Sequence, residues 1–483
     1  MRTNARARND RRTHEGAMAH PIKAEQELRR SVMACLLWEG QFYESGEAIA
    51  DRIAALVPKV EPAEILLMVR EARGRMHLRH VPLLLARETA RMGGKLAAAS
   101  IYEAIQRPDE LAEFLSLYWK DGKCPLSAQV KKGLAAAFAK FDEYQLAKYD
   151  RPTEIKLRDV LFLCHAKPKD AEQDALWKRL IAGELAVPDT WETRLSGEGT
   201  DKKAKWEDLL TRKRLGGLAL IRNLRNMTEA KVGDGLIRRA LAEMKTDRIL
   251  PFRFIAAANC APRFEPELEQ AMFGCLAEAP KLPGKTILLI DVSGSMVGAT
   301  ISERSELDRL DAASGLAMLA REICEDVRVY AFSCPVRGSG PAPKGAAVAT
   351  VTVQNIWGQP VPYMGYCVEL PARRGFALRD KLRELPHDGT PLGWAVEYCT
   401  TRETPFDRLI VLTDEQSQDA VGSPHTPNGY MINVASAKNG VGYGAWTHID
   451  GWSEAVLDYI RASESATDLE QRNGVRDDAE TRL

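Results

Sequence analysis

Between Pro21 and about Ala279, apolar residues recur three or four apart, and the breaks are short and rich in Pro, Gly or Asp. "IKAEQELRRSVMACLLW", "PAEILLMVREAR", "VPLLLARETARM", "PDELAEFLSLYW" and "LSAQVKKGLAAAFAKFDEYQLAKY" each lay an apolar stripe along one helical face. Many helices of ordinary length, brief turns and no convincing strand predict stacked helical hairpins, an α-solenoid with degenerate repeats. Near residue 280 the grammar changes. "PKLPGK" reads as a linker. After it come "TILLIDVS", the helical "LDRLDAASGLAMLAREICEDV", "VRVYAFSC", an irregular Gly/Pro-rich stretch, "VATVTV", "GFALRDKLREL", "PLGWAVEYCT", "DRLIVLTDE", "YMINVAS" and "WSEAVLDYIR". Apolar strands alternating with helices predict a doubly wound, mostly parallel sheet buried on both faces. The expected division is a flexible basic N-terminus at 1–20, a helical module at 21–281, an α/β module at 282–462 and a charged, frayed tail at 463–483.

A chain of 483 residues exceeds one ordinary core, and 45% hydrophobic with 28% charged residues reads as soluble and globular. No apolar run approaches the roughly 18 residues that a membrane-spanning helix needs. The start, "MRTNARARNDRRTHEG", is basic with no apolar segment behind it, so it does not read as a secretory signal. Nine cysteines without a CxxC pair predict reduced thiols in a cytoplasm, not a disulfide frame or a zinc site. The zero net charge hides a division: residues 1–280 hold 47 Lys+Arg against 40 Asp+Glu, and residues 281–483 hold 20 against 27. A basic front and an acidic back predict modules with different partners.

The acidic half carries the sharper chemistry. "LLIDVSGSM" runs as a buried strand into Asp291, Ser293 and Ser295. In doubly wound sheets, ligands bind beyond the carboxyl ends of the strands, where this loop falls. "RLIVLTDE" ends the same way and delivers Asp414, and "HDGTPLG" offers Thr390. Two carboxylates and three hydroxyls form an all-oxygen set suited to a hard divalent cation, magnesium before others. The competing reading is polar turn chemistry, since Asp and Ser are common at strand ends. "GKT" at Gly284, Lys285 and Thr286 is not a phosphate-binding loop: the motif's first glycine would fall at Ala279, and GKT precedes a strand.

"DVSGSM", with Thr390 and Asp414, resembles the metal-ion-dependent adhesion site of von Willebrand factor type A domains, and the likeness covers about residues 282–462. That resemblance implies a metal site that takes an acidic group from a partner.

The helical half holds three basic clusters. One is "REARGRMHLRH", with Arg70, Arg73, Arg75, His77, Arg79 and His80. The second, "QLAKYDRPTEIKLRDVLFLCHAKPK", has Lys148, Arg151, Lys156, Arg158, His165, Lys167 and Lys169; the third is "DKKAKWEDLLTRKRLGGLALIRNLRNM". Tyr149, Trp191 and Trp206 are interleaved with them. A solvated helix face is the bland reading of any one run; three together suit a polyanion groove. By composition alone His165, behind "VLFLC", reads as a packed core residue.

"RDVLFLCHAKPK", "WEDLLTRKRLGGLALIRNLRNM" and "RILPFRF" resemble the signature segments of the TROVE module of Ro autoantigen proteins. The resemblance covers nearly all of the chain and implies a bacterial or similarly compact member. It implies a ring of HEAT-like hairpins closed by a type A domain, with small noncoding Y RNA on the outer surface and structured or misfolded RNA ends at the hole. Lys148 and His165 match the family's Y RNA contacts; Arg151 lies beside another basic family position, which is Pro152 here. Lys167 is a further candidate RNA contact, and Arg73, Arg75, His77, Arg79 and His80 are expected at the hole. The expected function is a monomeric RNA-binding scaffold for RNA quality control, not an enzyme, working with an exoribonuclease such as polynucleotide phosphorylase. The alternative is a metal-dependent adaptor that binds an acidic protein segment.

Overall fold

The computed structural model describes residues 23–33, 46–74, 78–186, 190–196, 201–246, 249, 252–276, 281–298, 300, 307–335, 340–354, 360–435, 441, 444–450, 456–457, 460–461 and 464. Arg75, His77, the basic N-terminus 1–20 and nearly all of the tail lie outside the described residues. The chain divides into two compact units, one of Lys23–Met33 with Glu47–Lys205, the other chiefly Trp206–Leu483.

The described residues of the first unit are helical, as the periodicity predicts. Helix Pro62–Gly74 packs on Ala97–Ala104, which packs on Ala128–Phe138, which packs on Leu157–Cys164; the intervening His80–Met92 packs on Asp109–Tyr118. Contact with every second helix is the layering of a solenoid. Local chemistry sets the boundaries. Asp142 accepts from the Gln145 amide at 2.7 Å and Gln145 returns a bond to the Asp142 amide, a capping box opening Glu143–Tyr149. Gly183 ends Ala171–Ala182 at φ 75°. Gly133 permits the closest approach: a Cβ there would stand 2.8 Å from Ile101 Cβ and 2.9 Å from the Ala98 carbonyl.

The second unit joins helices to a seven-stranded sheet of order β3-β4-β2-β1-β5-β6-β7. The strands are β1 Leu282–Asp291, β2 Cys324–Ser333, β3 Ala347–Gln354, β4 Pro360–Glu369, β5 Arg408–Thr413, β6 Gly429–Asn433 and β7 Thr447–Asp450. β4 runs antiparallel to both β2 and β3, while β1, β2, β5, β6 and β7 are parallel. Ile287 and Leu289 pack with helix Leu392–Glu403, and the alternate Leu288 and Ile290 are equally buried on the other face.

Three expectations need correction. "PKLPGK" is not a linker throughout: Leu282–Lys285 already belongs to β1, with Leu282 opposite Cys324 and Lys285 opposite Asp326. β4 and β7 carry no clean apolar run and escape the sequence reading. Fraying does not reach Glu464, which takes bonds from Arg408 Nε at 2.6 Å and Tyr430 Oη at 3.1 Å.

Candidate metal centre and candidate nucleic-acid interface

β1 and β5 are parallel neighbours whose chains cross over in opposite directions along the sheet, so a switch point opens at their carboxyl ends. Asp291 closes β1 and Asp414 follows β5, and both are 0% exposed. Ser293 begins the short 3-10 turn Gly294–Met296, and its amide donates to Asp291 Oδ1 at 2.8 Å. Ser293 Oγ and Ser295 Oγ lie 3.2 Å apart. The loop bearing Thr390 is tied to both strand ends. Gly294 N donates to the Asp388 carbonyl at 2.6 Å, and Thr390 N and O bond the Gln418 side chain and backbone, each at 3.0 Å. The three oxygen-bearing loops are thus stitched into one site.

Two buried carboxylates repel each other there. Burial first, then the charge of Asp414, pushes the Asp291 carboxyl up to about 7, against the pull of the Thr413 hydroxyl, which donates to Asp291 Oδ2 at 2.6 Å. A hard cation would relieve that cost, so the donor set fits a divalent ion, which Asp291, Ser293, Ser295, Thr390 and Asp414 would hold. Sequence reasoning missed Arg309, a residue with no motif to mark it. It is 2% exposed, and its Nη1 donates to Asp414 Oδ2 at 3.2 Å and to the Ser295 carbonyl at 3.3 Å.

In the first unit the sequence-predicted cations fall into two classes. Arg73 and Arg79 are spent on neighbours. Arg73 Nη2 donates to both oxygens of fully buried Glu110 at 2.6 and 2.7 Å. Arg79 bonds Asp109 at 2.8 Å and pairs with Glu113. These guanidiniums latch helix Asp109–Tyr118 against the preceding turns; His80 beside them is exposed.

Lys148, Arg151 and Lys167 stand in no salt bridge among the described residues. Lys148 and Arg151 line a cavity of about 400 Å³ with Asp150, Glu192, Thr190 and Thr193 among its walls. Tyr149 carries the Arg107 guanidinium 4.8 Å from its ring centroid. Burial raises the Asp150 carboxyl, and the charges of Arg158 and Lys156 pull it back. His165 is exposed, not in the core: it caps helix Leu157–Cys164 in the left-handed region at φ 53°, turning the imidazole outward. Phe162, one turn earlier, is 57% exposed. It lies outside the stripe of Leu157, Val160, Leu161 and Cys164, a signal the sequence did hold. Trp206 is 4% exposed and belongs to the core.

A helical-repeat unit and a switch-point α/β sheet define a two-part scaffold. Residues 169–280 match the family model of the TROVE domain. Among solved structures the chain is similar to the crystal structure of the Ro (Rsr) protein of Deinococcus radiodurans, with 18% identity and a TM-score of 0.58, covering 90% of this chain and 99% of that one. No curated protein matches. The matched residues are similar to the TROVE domain and include two of the three segments that resemble it, "WEDLLTRKRLGGLALIRNLRNM" and "RILPFRF", and the fold of the chain is similar to that of the Deinococcus Ro protein. Lys148, Arg151, His165 and Lys167 precede the matched residues.

Proposed function

We propose that this protein is an RNA-binding scaffold of the Ro type, not an enzyme. It would hold small noncoding Y-like RNA, and structured or misfolded RNA ends, for quality control beside an exoribonuclease in the cytoplasm. The observation that carries the reading is the contrast between the two basic clusters. Arg73 and Arg79 are neutralised within the fold, whereas Lys148 and Arg151 line a cavity and stand in no salt bridge among the described residues, and His165 and Phe162 on a neighbouring segment are exposed. Cations outside salt bridges bind phosphates with release of counterions. Exposed aromatic and imidazole groups suit the stacking and hydrogen bonding by which unpaired bases are held. The TROVE match and the Ro-like fold support the same reading. Its test is fluorescence anisotropy of a labelled stem-loop RNA with a single-stranded 3′ end, titrated with the full chain. Absence of binding at moderate salt contradicts it.

In the sheet-bearing half, a type A domain would use Asp291, Ser293, Ser295, Thr390 and Asp414 to hold magnesium, which when bound supplies an electrophilic point for an acidic group. A metal-dependent adaptor for an acidic protein segment remains the second reading, favoured by the stitched three-loop oxygen site. No helix among the described residues is long and apolar enough to cross a membrane.

A further inference from the structure

The donor set proposed for a divalent ion already contains a buried cation. Arg309 opens helix Arg309–Ile323, whose N-cap Asp308 forms a capping box with Asp311. Its guanidinium leaves that helix and enters the switch point, 3.2 Å from Asp414 Oδ2 and 3.3 Å from the Ser295 carbonyl. Asp414 is 0% exposed and Arg309 2%, so this is an ion pair sealed from solvent. Asp388, on the third loop, accepts from the Tyr363 hydroxyl at 2.9 Å.

We propose that Arg309 is a built-in counter-cation of the metal centre: it holds Asp414 when no ion is present and leaves the ion-loaded site with a positive surplus. The inference rests on the metal assignment above. With both carboxylates ionised, Asp291, Asp414 and Arg309 together carry one negative charge, and a divalent ion turns that into one positive charge. Arg309 is too buried to move its charge into water when an ion arrives. The guanidinium and the ion therefore compete for Asp414 and repel each other at short range in a low-dielectric site. Two consequences follow. The centre binds its ion weakly for a two-carboxylate site. Its loaded form attracts one anionic group, a carboxylate or a phosphate, which restores neutrality.

The test is isothermal titration of the full-length chain with magnesium chloride and, separately, manganese chloride. Arg309→Met removes the charge and keeps the volume, and is expected to tighten both ions by about tenfold or more. Arg309→Lys, which keeps the charge, is expected to stay within about threefold of wild type. Without metal, Arg309→Met should melt lower than wild type and be rescued by magnesium, because buried Asp414 then lacks its guanidinium. If Arg309→Met does not fold, Arg309→Gln repeats the test as a neutral group that still donates to the Ser295 carbonyl. Equal ion affinity in wild type and in the folded neutral variant overturns this proposal and leaves the metal assignment standing. No ion binding by any of the proteins overturns both.

Discussion

Replacing Arg73 with Met removes a structural latch; on the present account it does not remove an RNA contact. Glu110 is 0% exposed at its side chain and Arg73 is 12% exposed, so the pair sits inside the helical unit. Breaking a buried pair typically costs about 3–5 kcal/mol, because the surviving charge is stranded. Here the stranded carboxylate keeps the Gln106 amide at 2.8 Å, the Arg107 amide at 3.0 Å and Arg79 Nε at 3.7 Å. Those partners place the cost near the lower end, about 3 kcal/mol. For a unit of this size that lowers the melting temperature by about 6–12 °C. Glu110→Ala should cost a similar amount, since it strands Arg73 while Arg79 keeps Asp109 and Glu113. The assay is circular dichroism at 222 nm for stability, paired with RNA anisotropy well below the transition. A melting temperature unchanged within a degree, together with weakened RNA binding and a shallower salt dependence, refutes the reasoning and returns Arg73 to the interface.

Four further outcomes are expected. Phe162→Ser should weaken binding of RNA with unpaired bases by about 1–3 kcal/mol and leave a fully paired duplex nearly unaffected, as competing titrations would show. Asp291→Asn should abolish magnesium binding by calorimetry while the helical signal persists, since the first unit contains none of the ligands. A fragment of residues 206–483 should melt in one transition above that of 282–464. The shorter piece loses Glu269 from the Phe376 amide at 2.8 Å and Glu265 from Arg379 at 3.2 Å. Burial lowers the Lys140 ammonium to about 8. Since its ordinary value lies higher, the unfolded chain binds more protons above pH 8, so stability should rise with pH there, and Lys140→Met should flatten that rise.

Much of the fold and of the candidate site is legible in the sequence, for physical reasons that differ by region. Helical periodicity marked the first unit because each stripe, such as Val160, Leu161 and Cys164, must face a neighbouring helix. Asp291 and Asp414 were legible because a parallel sheet gathers strand ends at one edge, whatever the intervening sequence. The antiparallel β4, "PVPYMGYCVE", was not, because prolines and glycine break its alternation while pairing with β2 and β3 holds it in place. His165 misled by its neighbours: the apolar run before it is real, but a left-handed backbone turns the next side chain outward. The basic cluster at Arg73 and Arg79 looked identical in sequence to the one at Lys148 and Arg151. Only tertiary structure shows which cations meet Glu110, Asp109 and Glu113, thirty or more residues away. Arg309 likewise meets Asp414 across the sheet from a helix start with no motif of its own.

The central claim is that RNA phosphates are held by the unspent cations of the first unit. Its most direct test is the salt dependence of RNA affinity for wild type and for a Lys148→Ala, Arg151→Ala double variant of the full chain. Each phosphate contact on a single strand contributes roughly 0.7 to the slope of log affinity against log salt. The account predicts that the double variant binds more weakly and that its slope is shallower by about 1.4. Equal affinity and equal slope in the two proteins, with the fold intact, would contradict it.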